Sequence, residues 1–264
     1  MLGKLTILGS GTSTGVPTLG CGCAVCHSTD PRDRRLRPSV LISAAGRNVL
    51  IDTTPDFRYQ AMRAGLRSLD AVLFTHSHAD HIMGLDDIRP FNFHRPQPIP
   101  IYADAGVLAD LRRVFQYVFS GDEYVSAIPR LTAHELQGPQ PVEGILFEPL
   151  PVLHGSLPIL GFRFGPNAYI TDFSAIPDAT LERLSGLDLL ILDALRHRPH
   201  PTHSHLANSI ALVQRLQPRR ALFTHICHEL PHRETSALLP AGVELAYDGL
   251  EVEIRLDSIP VPPA

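Results

Sequence analysis

The most constraining feature of the sequence is the run His76-Ser77-His78-Ala79-Asp80-His81. It puts four nitrogen- or oxygen-donor side chains in six residues, directly after the apolar stretch Ala71–Thr75. An extended or turning backbone lets His76 and His78 face one metal ion. A turn into a helix then directs Asp80 and His81 at a second ion about 3.5–4 Å away, the spacing used by two-metal hydrolases. Such N and O donors suit zinc, manganese or iron. A single histidine on a polar loop needs no explanation, but four donors at ligand spacing do.

The rest of the chain supplies a frame for that run. Short apolar, β-branched stretches bounded by Gly, Pro and Asp predict strands at Leu5–Leu8, Val40–Ser43, Val49–Ile51, Ala71–Thr75, Ile99–Tyr102, Gly161–Phe164, Ala168–Thr171, Leu189–Leu192, Ala221–Thr224 and Val243–Ala246. Helical spacing predicts helices near 55–65, 104–118, 178–185 and 206–216, with Pro55 in a first turn and Gly65 as a C-cap. The pattern is α/β with mixed sheets. No low-complexity linker divides residues 1–264, which are expected to form a single domain; Pro139–Pro141 is expected to be a long turn and the tail Ile259–Ala264 to fray. Leu-Phe-Thr-His occurs twice, at Leu73–His76 and Leu222–His225, each an apolar strand ending in histidine, and Asp52, Asp172 and Asp193 end three further strands. Strand ends that all carry donors converge at one sheet edge, where α/β proteins bind ligands.

Composition narrows the partners. With 44% hydrophobic and 19% charged residues, the 264-residue chain is neither disordered nor fibrous. No apolar run approaches the ~20 residues of a membrane span; the most apolar stretch, Leu187–Leu195, is interrupted by Asp188 and Asp193. The apolar run at the N-terminus is too short for a secretory signal, so a cytoplasmic protein without membrane contact is expected. A net charge of −4 speaks against a nucleic-acid coat. The unusual count is histidine, at 14, with no tryptophan.

On these motifs the chain resembles the metallo-β-lactamase superfamily, whose HxHxDH signature the run at 76–81 matches in full. The resemblance implies an αββα sandwich of two mixed β-sheets flanked by helices. It extends over nearly the whole chain: His154 in PVLHG, Asp172 in YITDFS and His225 in LFTHICH match the family's later ligands. The implied first ion is held by His76, His78, His154 and Asp172, the second by Asp80, His81, Asp172 and His225. Asp52 matches the carboxylate that orients a ligand histidine. Where the family carries a glycine after Asp-Thr, this chain has Asp52-Thr53-Thr54-Pro55.

Three of the four cysteines fall within Cys21-Gly22-Cys23-Ala24-Val25-Cys26. In a reducing compartment this spacing points to a structural zinc ahead of a redox cluster or unligated buried thiols. The fourth ligand is His27 nearby or, better, His228, three residues after His225; Cys227 is expected to be a small buried residue. This cluster, with LGSGTSTGVP, DHIMGLDDIRPFN, GFRF and the late AYDG, resembles the phosphoribosyl 1,2-cyclic phosphate phosphodiesterase (PhnP-type) branch. That resemblance implies two active-site divalent ions, Mn2+ or Zn2+, one structural Zn2+ and a small phosphodiester substrate. A homodimer is carried by the resemblance alone.

The metals do not by themselves choose between acyl and phosphoryl substrates. The discriminating group is a proton donor for the leaving alkoxide, and His203, after Pro201-Thr202 in HRPHPTHSHL, matches the branch's histidine. His203 and Asp80 are the implied catalytic residues. His197 and His205 are expected to be loop residues, while His200 is left open. The Gly9–Gly15 loop lacks the Gly-Lys-Ser/Thr of a phosphate loop and is expected to be a tight turn, with a phosphate nest the alternative. Asp86, Asp87 and Arg89 are candidates for the pocket rim. Alternatives are a tRNase Z-like RNA 3′-end endonuclease and a thioester or lactone hydrolase. From Arg89 to Pro149, five arginines stand against seven acidic residues, a poor balance for gripping an RNA backbone.

Overall fold

The computed structural model describes residues 1–95, 97–121 and 127–257. Strands β1 (Leu2–Gly9), β2 (Ser39–Ala44), β3 (Arg47–Ile51), β4 (Ala71–Leu73), β5 (Ile99–Ala103) and β6 (Leu131–Glu135) join the last strand, β14 (Glu251–Arg255), in one seven-stranded sheet of order β14-β1-β2-β3-β4-β5-β6. Strands β7 (Gln140–Val142), β8 (Ile145–His154), β9 (Leu157–Phe164), β10 (Asn167–Ile170), β11 (Leu189–Asp193), β12 (Arg220–Thr224) and β13 (Val243–Leu245) form the second, of order β13-β12-β11-β10-β9-β8-β7. Strands β3 to β6 run parallel, as do β10 to β13, with antiparallel pairings elsewhere. This is the αββα sandwich of the metallo-β-lactamase fold.

Side-chain alternation divides the core into three layers. Val49 and Ile51 face the second sheet, packing in one cluster with Phe147, Phe162, Phe164, Leu189 and Ile191. Leu50 between them faces outward with Val72 and Phe74, under α1 (Phe57–Arg63) and α3 (Ala105–Val114). On the other side Leu190 and Leu192 pack under α5 (Asp178–Glu182) and α6 (Leu206–Leu216). A fully buried side chain of this kind contributes about 1.5–3 kcal/mol, so the two sheets form a stiff platform. No helix among the described residues is long and apolar enough to cross a membrane.

Several boundaries differ from expectation, each for a physical reason. The helix near 104–118 breaks at the buried Phe115, giving α3 and the short α4 (Gln116–Phe119). The Thr75 end of the fourth strand lies outside β4, because its backbone turns to serve Asp52. Pro139–Pro141 is no long turn: Gln140 and Pro141 lie in β7, an edge strand, where a missing N–H is tolerated. Strand β8 was not apparent because it holds Pro149 and Pro151. Among the described residues strand β7 pairs only with Ile145–Phe147, so the stretch of β8 beyond it, with both prolines, pairs with β9 on one side and forms an edge on the other. The helix near 55–65 ends as expected, with Gly65 at φ +62 and the Leu66 N–H closing on the Ala61 carbonyl at 2.9 Å. The expected frayed tail lies outside the described residues.

Candidate metal centre

Six strands deliver donors from their C-terminal ends: Asp52 after β3, His76 after β4, His154 at the end of β8, Asp172 after β10, Asp193 ending β11 and His225 after β12. Parallel neighbours send these ends to one edge of the sandwich. At three of them the chain adopts the left-handed region that side chains rarely occupy: Asp52 at φ +65, Asp172 at φ +54 and His225 at φ +56. Such conformations persist only where the surroundings over-determine them, and they cluster at functional sites. Here they turn each side chain off the end of its strand and into the shared edge.

The signature run then folds into α2 (Ala79–Ile82). Gly84, just after it, is required by close approach, because a Cβ there would sit 2.1 Å from the Thr54 carbonyl oxygen. The Gly84 N–H donates to the Thr53 carbonyl at 3.0 Å, pinning α2 to the segment after Asp52.

Two donor groups result. The nitrogens of His76, His78 and His154 lie within 4.8 Å of one another, as do the donor atoms of Asp80, His81, Asp172 and His225. Asp172 also falls in a group with His154 and His203, so it stands between the two sets. Of these side chains His78 is exposed and His203 half-buried, and the rest are buried.

Supporting hydrogen bonds orient the rings. His81 Nδ1 donates to Asp52 Oδ2 at 2.7 Å, leaving Nε2 toward Asp172 Oδ2 (3.2 Å) and Asp80 Oδ2 (3.4 Å). Asp52 is otherwise saturated by the Thr75 N–H and hydroxyl, both at 2.8 Å. His154 Nδ1 donates to the Thr202 carbonyl at 2.7 Å. Ser77 donates to Asp110 Oδ2 at 2.6 Å, tying the turn between His76 and His78 to α3.

The donors fit divalent cations. Among the described residues His81 Nε2 and both ring nitrogens of His225 are buried without a hydrogen-bond partner. His76 Nε2 faces His78 Nδ1 at 3.1 Å, two imidazole edges with every reason to share a cation. Burial works against charge on His225, but the Asp172 carboxylate outweighs it and pushes its pKa up to about 10; Asp172 and Asp52 raise His81 well above its ordinary range in the same way. Asp172 is held well below the usual carboxylate range despite its burial, by His225 and His81. A carboxylate cluster that holds protons on its imidazoles is one in which a divalent ion can replace them.

His203 lies beside this set. Its Nδ1 donates to Asp193 Oδ2 at 2.9 Å, its ring stacks on His225 at 4.7 Å, and it meets His154 edge-on at 4.6 Å. Asp193 is fully buried; the sequence places it among the strand-end donors but not as the partner of His203. The available signal was that it ends a buried strand, as Asp52 and Asp172 follow theirs.

The cysteines form a second centre. Cys21, Cys23 and Cys26 point their sulfurs at one atom, His228 Nδ1, at 3.2, 3.5 and 3.4 Å. His27 is exposed and turns its Nδ1 to the Cys23 carbonyl, outside the cluster. Cys227 is half-buried, not buried as expected, since its sulfur accepts the Glu229 N–H at the loop surface. Among the other expectations, Gly11 is a close-approach position, with a Cβ meeting the Arg35 carbonyl at 2.8 Å, and Gly15 has φ +65, as a tight turn requires. Arg89 is engaged by Asp86 and the Ala127 carbonyl, and Asp87 lines a separate surface hollow with Arg58, Pro90 and Phe91. His197 is exposed, and His205 is the residue before α6.

Fold and donor set together define a metal-dependent hydrolase. The model of the β-lactamase superfamily domain matches residues 47–226. The structure superposes on a diphosphatase of the PhnP family with a TM-score of 0.92 and 52% identity, over 97% of this chain and 98% of the other. The chain therefore belongs to the β-lactamase superfamily, in its PhnP-like branch. An octanoyltransferase of Porphyromonas gingivalis is 42% identical over 95% of this chain, which spans about half (51%) of that relative's length. Zn2+-bound PqqB from Methylobacterium extorquens shares the fold at 24% identity, with a TM-score of 0.78 over 95% of this chain and all of the other.

Proposed function

We propose that this chain hydrolyses a small cyclic or sugar phosphodiester, such as phosphoribosyl 1,2-cyclic phosphate. In this reading His76, His78, His154 and Asp172 hold one zinc or manganese ion and Asp80, His81, Asp172 and His225 a second. Cys21, Cys23, Cys26 and His228 hold a structural zinc. The observation that carries the phosphoryl reading is His203, fixed by Asp193 next to the donors. When bound, a pair of divalent ions supplies a hydroxide at neutral pH and neutralises charge on the phosphoryl oxygens.

The chain's own residues do the rest. With Nδ1–H committed to Asp193, His203 keeps Nε2 for a leaving oxygen. Burial and the neighbouring His225 push its pKa down to about 4, so the ring is neutral at rest. A phosphate anion arriving beside it favours the imidazolium, and Asp193 stabilises that charge, so the proton is available where the alkoxide departs. Asp80, with Oδ2 facing the Nε2 atoms of His81 and His225, holds the opposite side of the centre.

A diphosphate ester is the second reading, favoured by the 52% identity to a diphosphatase. Both substrates can be followed by phosphorus NMR with protein loaded with either metal. The expected result is turnover that His203→Ala lowers by about 10²–10⁴-fold at unchanged metal content. An octanoyl thioester and a precursor tRNA complete the panel, and turnover of either in place of the phosphate compounds would replace this reading.

A further inference from the structure

The loop before α6 holds an imidazole that the reaction above does not use. Three rings step outward from the buried centre: His225 is fully buried, His203 stacks on it at 4.7 Å, and His200 lies 5.0 Å beyond His203, half-buried at the surface. The backbone N–H of Thr202 donates to His200 Nδ1 at 3.3 Å, and the Thr202 hydroxyl lies 3.3 Å from the same atom. A backbone donor settles the tautomer: Nδ1 accepts, so the proton of the neutral ring is on Nε2. Among the described residues Nε2 has no hydrogen-bond partner.

Thr202 is a shared anchor. Its carbonyl holds His154, its N–H holds His200, and the next residue is His203, so the three imidazoles are set by one short stretch of backbone. Arg196, on the same loop, brings a permanent positive charge to bear on His200. The Arg196 guanidinium is folded along the loop, donating to the carbonyls of Arg198 and Pro199. An oriented N–H donor one ring-spacing outside the leaving-group histidine, with the Arg196 guanidinium on the same loop, suits an anionic group on the departing half of a substrate.

We infer that His200 is a specificity-determining residue whose Nε2–H binds a second phosphate, carried by the leaving portion of a small phosphoric ester. This rests on the phosphoryl reading of the site. The preferred substrate is then a phosphoester with two phosphorus centres, such as a phosphorylated sugar diester or a diphosphate, rather than a simple dialkyl or diaryl phosphate.

The test uses two substrates and three variants of the metal-loaded protein. For the wild type, kcat/KM on phosphoribosyl 1,2-cyclic phosphate is divided by that on bis(p-nitrophenyl) phosphate, which has no second phosphate. His200→Ala is expected to lower this ratio at least tenfold, mainly through KM on the phosphorylated substrate. Ribose 5-phosphate binding, read by calorimetry, is expected to weaken by about tenfold, as loss of one charge-assisted hydrogen bond implies. His200→Gln places an amide N–H near the position of Nε2 and should recover most of both effects. His200→Asn instead restores an acceptor near Nδ1, the group that Thr202 uses, and should not. Rescue by Asn and not by Gln, or a ratio and affinity unchanged in His200→Ala, overturns the inference. If the wild type turns over neither ester, the proposed function fails, while the calorimetric comparison still decides the role of His200.

Discussion

The two donor clusters of this molecule are built in opposite ways. The histidine–aspartate cluster sits on strand ends with its donors almost all buried, and three of its strand ends are held at positive φ by the sheets around them. The cysteine cluster hangs on a loop without regular structure, with Cys21 and Cys23 half-exposed, and is closed by His228 from 207 residues away. In the first, packing alone sets the geometry; in the second, if an ion binds as proposed, its own bonds would supply much of the order. On the proposed assignment, one chain separates a preorganised site for chemistry from a loop clasp that a structural ion would hold.

The two are physically joined. Arg35, with its side chain fully buried, donates to the Cys227 carbonyl at 2.9 Å, the Leu230 carbonyl at 2.7 Å and Asp33 at 3.3 Å. Cys227 lies between His225 of one cluster and His228 of the other. Asp33 also takes the His232 N–H at 2.7 Å. Residue 226 is locked to the first loop as well, its N–H donating to the Ser10 carbonyl at 2.9 Å. A shift of the cysteine loop is therefore felt at His225.

The sharpest way to break the comparison is Asp172→Ala. It removes the carboxylate shared by both donor groups and leaves His81 and His225 without their nearest charge. Tight binding at the buried cluster and turnover are expected to be lost together, with the fold retained; metal analysis and circular dichroism check this. Full metal occupancy in this variant would sink the assignment of Asp172.

Cys23→Ser should act differently. It is expected to release one ion per chain and to leave the buried cluster loaded. An ion present at about a thousandfold over its Kd contributes roughly 4 kcal/mol, or about 10 °C in Tm at roughly 2–4 °C per kcal/mol for a chain of this size. Hydrogen exchange is expected to rise from Val16 to Cys26 while the strand ends at Asp52 and Asp172 stay protected. Equal deprotection of both regions would erase the distinction between them.

The smallest effect concerns acid. His232 packs edge-on against Tyr247 at 5.8 Å near the Arg35 network, and burial with the adjacent Arg32 and Arg35 lowers its pKa to about 4. Between about 4 and 6.5 the unfolded chain binds a proton that the folded chain refuses. Stability from this group is complete above 6.5 and declines as pH falls through that window. His232→Phe should flatten that part of the stability-versus-pH curve relative to the wild type, measured by chemical denaturation. An identical slope would show that neither burial nor the two arginines depress the ring in the folded chain.

Much of the fold was visible in the sequence because strands buried on both faces read as short apolar runs; Leu189–Leu192 and Ala221–Thr224 are of this kind. The exceptions share a cause. Strand β8 carries two prolines and the edge strand β7 carries another, and their tolerance depends on which neighbour is absent, a property of strand order that no local window contains. The break at Phe115 likewise depends on the core that receives the ring. In the candidate site, His76 to His81 and Cys21 to Cys26 were legible as groups, whereas the partners of His203 and His154 were not.

By itself the sequence determined the donors that lie within one or two turns of each other, since backbone geometry limits where residues so close in the chain can point. It also determined the layered α/β class, through the alternation of buried runs with helical spacing. Only the tertiary structure decided that Asp193 holds His203, that the Thr202 backbone sets His154 and His200, and that Arg35 bridges the two clusters. Those contacts join separate strand ends and loops, and their distances follow from the order in which strands pack side by side.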